Sequence, residues 1–344
     1  MKLLYSFLKD MKLSLRGYYF YIEIIFAAIF VAVLVFVVPE NFEPKVTVFA
    51  YFDVGDPITS LIGDGFGNAQ VDLTIMDSRD EVVAALEKNR GSVGLSVTRE
   101  DGKFIYDYII QGYEHEKFRN IIRQSVESQF ASNLRTYEKV TEIVTLEGRS
   151  EKLSDRVNIL PVFLALNAAF MGLFIIASYI FLDKDEGTIR AFAVTPARVW
   201  HYLAGKVGVM LVAGLISTLI ATIAIAGKNV HYLHLIVLLI ATNSFGSALG
   251  LFIASFFDTM TKAMGWLYLM VILLSFASIS YYVPAFSPLY IRILPSYPML
   301  FAFRETLMQS ADIGYIYANV GGFAALAIVL FGLANIRFKK TLTV

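Results

Sequence analysis

The chain has 344 residues, 57% hydrophobic and 17% charged, and its 29 basic residues balance its 29 acidic ones. Soluble domains carry roughly 45–50% apolar and about 25% charged residues, so the composition excludes an ordinary soluble protein. The neutral balance argues against a nucleic-acid partner, and the lack of cysteine excludes a disulfide framework, thiol chemistry and cysteine-ligated zinc.

The first element, residues 1–17, carries Leu4, Phe7, Leu8, Met11 and Leu15 at helical spacing, opposite Lys2, Lys9, Lys12 and Arg16. This pattern predicts a basic amphipathic helix on the inner membrane surface; a plain topology anchor is the alternative. A spanning helix needs about 20 mostly apolar residues. Six runs meet that length: 18–38, 157–182, 203–226, 233–257, 261–283 and 315–336. Each must be helical, because lipid offers the backbone no hydrogen-bonding partners. The first run is longer than a signal-sequence core, and Pro39-Glu-Asn-Phe-Glu-Pro44 is a poor cleavage site, so it is read as a retained span.

Orientation follows from Lys and Arg in the short segments. Lys2, Lys9, Lys12 and Arg16 precede span one; Lys184, Arg190, Arg198 and Lys206 lie around the loop 183–202; Arg337, Lys339 and Lys340 lie in the tail 337–344. Both termini and that loop are therefore expected in the cytoplasm of a multi-pass protein of the cell (inner or plasma) membrane. The insert 39–156 is expected outside. Within it, 46–53, 71–76, 93–97 and 104–110 read as strands, and 57–62 as a short helix. Ser78 with Glu81 three residues on starts a helix to Asn89, ended by Gly91. An apolar stripe from 118 to 144 predicts a long helix. The fold class is thus an α-helical membrane protein of six spans, with an α+β or α/β extracytoplasmic domain between spans one and two.

The loop between spans two and three is charged over Asp183-Lys-Asp-Glu186 and then turns semi-apolar. Gly187 suits a left-handed helix end. Thr188 suits the cap of a short helix whose Ile189, Phe192 and Ala193 share a face. Thr195 suits the next cap, with Pro196 at the first helical position. Such an element either seats in a groove on another protein or tucks its apolar face into lipid. Inside the spans, Glu23 either snorkels to the cytoplasmic edge or marks a path or a pair. Asn167, Asn243 and Ser244 either bond across helices or line a path, while Gly172, Gly246, Gly250 and Ala168 suggest close packing. Segment 284–314, with Pro284, Pro288, Pro295 and Pro298, cannot be one straight helix and reads as re-entrant or irregular on the outer side. Arg304 and Glu305 would sit at that boundary, Arg304 either anchoring a gate or exposed on a loop.

No Walker A pattern is present. His231 and His234 are too few for a closed metal site and read as a hydrated pair at the membrane edge. No catalytic set, metal site or cofactor is expected in this chain.

In element order and in two motifs, the whole chain resembles the ABC-2 type export permeases, the membrane subunits of type V ABC exporters. The stretch Asp185-Glu-Gly-Thr-Ile-Arg190, Val194-Thr-Pro196 and Gly205-Lys206 is similar to the family's loop between spans two and three, with Asp at 185 where Glu is usual. Leu294-Pro-Ser-Tyr-Pro298 and Phe303-Arg-Glu305 are similar to its stretch before the last span. The resemblance implies two permease copies, as homodimer or heterodimer, with two ABC ATPase subunits that bind ATP and Mg. It implies coupling to them through Asp185, Glu186, Gly187, Thr188, Ile189, Phe192, Thr195 and Pro196. Glu23, Asn167, Asn243, Pro295, Pro298, Arg304 and Glu305 are the candidates for a translocation path or gate. The expected function is export driven by a separate ATPase. The alternative is a non-transporting membrane receptor or sensor whose outer domain binds a ligand.

Overall fold

The computed structural model describes residues 2–41, 46–53, 71–89, 92–100, 103–110, 153–189, 198–283 and 286–342. In chain order the described elements are α1 (Lys2–Arg16), α2 (Tyr19–Phe36), β1 (Val46–Asp53), β2 (Val71–Ile75), α3 (Arg79–Lys88), β3 (Val93–Glu100) and β4 (Lys103–Ile109). Then follow α4 (Asp155–Ala165), a π turn (Leu166–Met171), α5 (Gly172–Asp185), α6 (Val199–Ala226), α7 (Tyr232–Ala254) and α8 (Met260–Ser275). The chain continues through α9 (Ala277–Tyr282), α10 (Leu289–Arg292), α11 (Ser296–Leu307) and α12 (Ile313–Leu342). It divides into two compact units, residues 42–147 and the remainder.

The smaller unit holds a four-stranded sheet of order β2-β1-β3-β4. β1 runs parallel to β2 and β3, while β3 and β4 are antiparallel. Ser78 caps α3 as expected, its Oγ accepting from Glu81 N at 3.2 Å, and Glu81 reaches back to Asp77 N. Val82 and Leu86 of α3 bury against Phe49. Gly94 sits beneath them, where a Cβ would lie 2.7 Å from Leu86 Cδ1 and 2.9 Å from Val82 Cγ1. Helix and sheet close to that distance because the strand has no side chain there. β3 runs three residues past the expected end, pairing to Glu100 with Lys103. The helices expected at 57–62 and from 118 to 144, and the helix stop at Gly91, lie outside the described residues.

Among the described residues of the larger unit, four helical runs are long and apolar enough to cross a membrane: α6, α7, Met260–Tyr282 and Ile313–Lys340. α1 and α2, bent by 59°, would make a fifth if counted as one span. Six were expected. The bend at Tyr18, a non-glycine residue at φ 65°, separates α1 from α2, and the π turn interrupts the helical run from Asp155 to Asp185. α7 is the packing centre, meeting α5, α6, α11 and α12. Gly250 lets α5 approach it: a Cβ there would lie 2.6 Å from the Leu173 carbonyl oxygen.

Arg156 joins the start of α4 to the chain leaving α2, its Nη2 donating to Val38 O at 2.8 Å and its backbone N to Glu40 O. Phe30 stacks on Phe163 at 3.8 Å between centroids, adding an aromatic contact between α2 and α4. The expected break after span five is present. α9 ends at Tyr282, α10 is a single turn, and α11 starts after Pro295 with Pro298 in its first turn, where a missing N–H is tolerated.

Candidate functional site

The charged run 183–186 divides in two. Asp183 is buried, Lys184 half-buried, and Asp185 and Glu186 are exposed. Asp183 faces α6, where its Oδ2 lies 2.6 Å from Lys206 Nζ and accepts a short hydrogen bond from the Tyr202 hydroxyl. Lys206 Nζ also lies over the Tyr179 and Tyr202 rings at 4.9 and 5.1 Å. Lys184 turns the other way. Its Nζ donates to the carbonyls of Ala254 and Phe257 at the end of α7, and lies 5.5 Å from the Phe338 ring of α12. The two ends of the loop are therefore tied to each other and to α7 and α12, while Asp185 and Glu186 stay in the open.

α1 docks beside this clamp by a face the sequence reading did not select. Ser6, Asp10 and Ser14 are its buried residues, whereas Leu4, Leu8 and Leu15 are exposed. The small polar stripe lies against Gly205 of α6, where a Cβ would sit 2.9 Å from Ser6 Oγ and 3.1 Å from Asp10 Oδ2. Phe7 fills the neighbouring notch at Gly208. Burial pushes the Asp10 carboxyl above its ordinary range; Lys206 draws it back and Asp183 raises it further. Asp10 Oδ2 makes no hydrogen bond. The signal for this face was the i, i+4 spacing of Ser6, Asp10 and Ser14, which a search for apolar periodicity passes over.

Beyond Glu186, Gly187 adopts φ 70°, the left-handed end expected of it. Thr188 and Ile189 already have helical backbone, and Ile189 is buried; Thr188 is thus inside a helical turn and Gly187 takes the position before it. α6 begins at Val199 with Arg198 at its cap. Phe192, Thr195 and Pro196 lie outside the described residues.

The path candidates fall into two groups. Glu23, Asn167 and Asn243 come together. Glu23 is 1% exposed and lies against α6, the Ser217 hydroxyl donating to its Oε1 at 3.3 Å. Asn167, inside the π turn, donates to the same hydroxyl at 2.7 Å. Asn243 of α7 donates to Met210 O of α6, and Ser247 donates to Asn243 Oδ1. Gly214 makes room for all this: a Cβ would lie 2.0 Å from Asn243 Nδ2 and 3.2 Å from Glu23 Oε1. Glu23 therefore does not snorkel; it is held midway along α6. Asn167 and Asn243 do bond across helices, but the exposed Ser244 bonds only to Ile240 O of its own helix.

Pro295 and Pro298 belong to the second group. They line an apolar cavity of about 510 Å³ with Phe245, Leu274 and Phe323. Arg304 is half-buried in α11 with its Nε buried and without a hydrogen-bond acceptor. Glu305 accepts from Asp312 N at 2.8 Å, closing the turn before α12. His231 and His234 are parted by different partners, Gln309 O and the Tyr317 hydroxyl, so they tie α7 to the turn after α11 and to α12. Among the described residues no cluster of three metal-ligating side chains occurs.

Residues 18–336 match the ABC-2 family transporter protein family. The chain belongs to the ABC-2 transporter family. The match runs from the start of α2 into the last helix, so the ABC-2 membrane part and the intervening sheet unit both lie inside it. Among curated proteins, the chain is 34% identical over 76 residues to the Fluoroquinolones export permease protein of Mycobacterium tuberculosis, in two strains. That similarity covers 22% of this chain and 32% of each relative, so it spans about a third of their length. No solved structure matches the chain. Family membership and the apolar helices make this a multi-pass membrane component of a transporter rather than an enzyme.

Proposed function

We propose that this chain is the permease of an ATP-driven exporter, working as two copies with two ABC ATPase subunits that bind ATP and Mg. The family match over 18–336 carries this reading. The described ends of the loop between α5 and α6 support a mechanism for it. Asp183 and Lys184 fix both sides of the loop to the helix bundle, and Asp185 and Glu186 are left exposed for a partner. The ATPase docks on this loop, through the exposed acids and the apolar face bearing Phe192. A displacement of a loop clamped to α6, α7 and α12 moves those helices with it. The apolar side chains of α1 rest on the inner leaflet, and its polar stripe holds it to α6.

In this reading residues 157–182 form a sixth span, both termini are cytoplasmic, and residues 39–156 lie outside the cell membrane. The path runs along the interface of the two copies, near the cavity walled by Pro295 and Pro298, with Arg304 and Glu305 holding the outer end. The relatives' name makes a fluoroquinolone the first export substrate to try.

Phe192→Asp tests the coupling role. Loss of one buried aromatic contact costs about 1.5–3 kcal/mol, enough for a ten- to hundredfold fall in affinity. The variant should insert normally yet lose co-purification with the ATPase, or hydrolyse ATP without export from membrane vesicles. An unchanged complex with unchanged export would place the loop's apolar face in lipid instead.

A further inference from the structure

The cluster around Glu23 has a charge and hydrogen-bond imbalance that the exporter reading does not use. Asn167 and Glu23 converge on Ser217. Asn167 Nδ2 donates to its hydroxyl at 2.7 Å, and that hydroxyl donates to Glu23 Oε1 at 3.3 Å. The same hydroxyl also has the Gly214 carbonyl as an acceptor at 3.1 Å, so its one proton is shared between that oxygen and the carboxylate, and Asn167 Nδ2 also reaches Thr218 Oγ1 at 3.4 Å. Two oxygens are left over at the ends of the chain: Glu23 Oε2 and Asn167 Oδ1 are both buried and neither has a hydrogen-bond partner. Their residues are 1% and 0% exposed. Among the described residues the hydrogen bond that reaches Glu23 comes from the Ser217 hydroxyl.

An unpaired carboxylate in an apolar interior costs several kcal/mol, and an acid inside a membrane bundle ordinarily has a partner. Asp183 shows the ordinary solution in this protein, with Lys206 at 2.6 Å. Among the described residues Glu23 makes no ion pair. The missing component is one positive charge and a donor or ligand for two orphan oxygens. It must also be small, since Asn243 Nδ2 and Glu23 Oε1 already press on Gly214. A drug-sized amine does not fit between these helices as packed.

We propose that Glu23, Asn167 and Ser217 form an intramembrane binding site for one small monovalent cation, an alkali-metal ion or a proton. The unit positive charge neutralises the carboxylate and gives the buried Glu23 Oε2 the partner it lacks. The π turn supports this assignment independently. It places Asn167 at an irregularity that recurs at functional sites in helices, and it offers a segment whose winding can differ between bound and free forms. The site does not depend on the ATPase, so its failure would leave the exporter reading standing.

The test is thermal unfolding of the purified full-length chain in lipid nanodiscs. Sodium, potassium and choline chlorides are compared at equal ionic strength and fixed pH, followed by a pH series in choline alone. Wild type and the neutral isostere Glu23→Gln are measured together, because other carboxylates titrate equally in both. An alkali-ion site predicts a melting temperature about 3 °C higher at saturating sodium or potassium than in choline, and no such gain in Glu23→Gln. A proton site predicts no ion effect, and a wild-type gain on acidification that exceeds that of Glu23→Gln. If Glu23→Gln does not fold, Asn167→Ala takes its place and should weaken the ion or proton response at least tenfold in midpoint. Wild type and variant responding alike to every ion and to pH would overturn the proposal.

Discussion

Lys206 is the residue on which the base of the loop after α5 turns. Its ammonium group serves two acids, but unequally: it bonds Asp183 at 2.6 Å, while Asp10 Oδ2 bonds nothing. Removing one partner of a buried ion pair leaves an uncompensated charge and costs about 3–5 kcal/mol. Lys206→Met should therefore lower the melting temperature strongly, and Asp183→Asn combined with it should recover part of the loss. Asp183→Asn alone strips Lys206 of its close partner. Asp10→Asn removes a carboxylate that burial already disfavours, so it should cost far less. A melting series in detergent checks the order, and equal losses for Asp10→Asn and Asp183→Asn would refute the unequal division.

At the level of elements, α1 and the loop after α5 both act through α6. α1 approaches closely only because residues 205 and 208 are glycine: a Cβ at 205 would lie 2.9 Å from Ser6 Oγ, and one at 208 2.9 Å from the Phe7 ring. Overpacking of such a seam costs typically about 1–3 kcal/mol. Gly205→Val should lift α1 from its seat while α6, α7 and α12 stay paired. Hydrogen exchange should then rise across residues 2–16 and remain low in α7. Unaltered protection of α1 would mean that the leucine face in lipid, rather than the polar seam, holds the helix.

For the whole molecule, the decisive property is which side of the membrane each part faces. The proposed topology, drawn from the basic residues, has the loop after α5 and the C-terminal tail on one side and the insert on the other. Single cysteines at Asn68 and Lys340 in this cysteine-free chain give a direct readout. An impermeant thiol reagent applied to intact cells should label the first and spare the second. Labelling at 340 without labelling at 68 would invert the topology, and with it the assignment of the loop to an ATPase.

Much of this architecture is written in the linear chain, and the remainder is not, for identifiable reasons. Apolar runs of membrane length, the Ser78–Glu81 helix start, the strand alternation, Gly187 as a helix end and the break at Pro295 and Pro298 are local signals, set by lipid, backbone geometry and nearest neighbours. The family motif at 185–206 is likewise a matter of residue order. Partnership is different. Asp183 and Lys206 are 23 positions apart, and Glu23 meets Ser217 across 194; no local pattern says that one acid finds an ammonium and the other only a hydroxyl. The face by which α1 meets α6 went unread for the same reason. Apolar periodicity identifies the side that avoids water, but in a membrane protein that side faces lipid, and the small polar residues face the neighbouring helix. Composition and periodicity determined that this chain crosses a membrane and where its loop lies. Which buried charges are satisfied depends on distances of a few ångströms, which only the packed helices set.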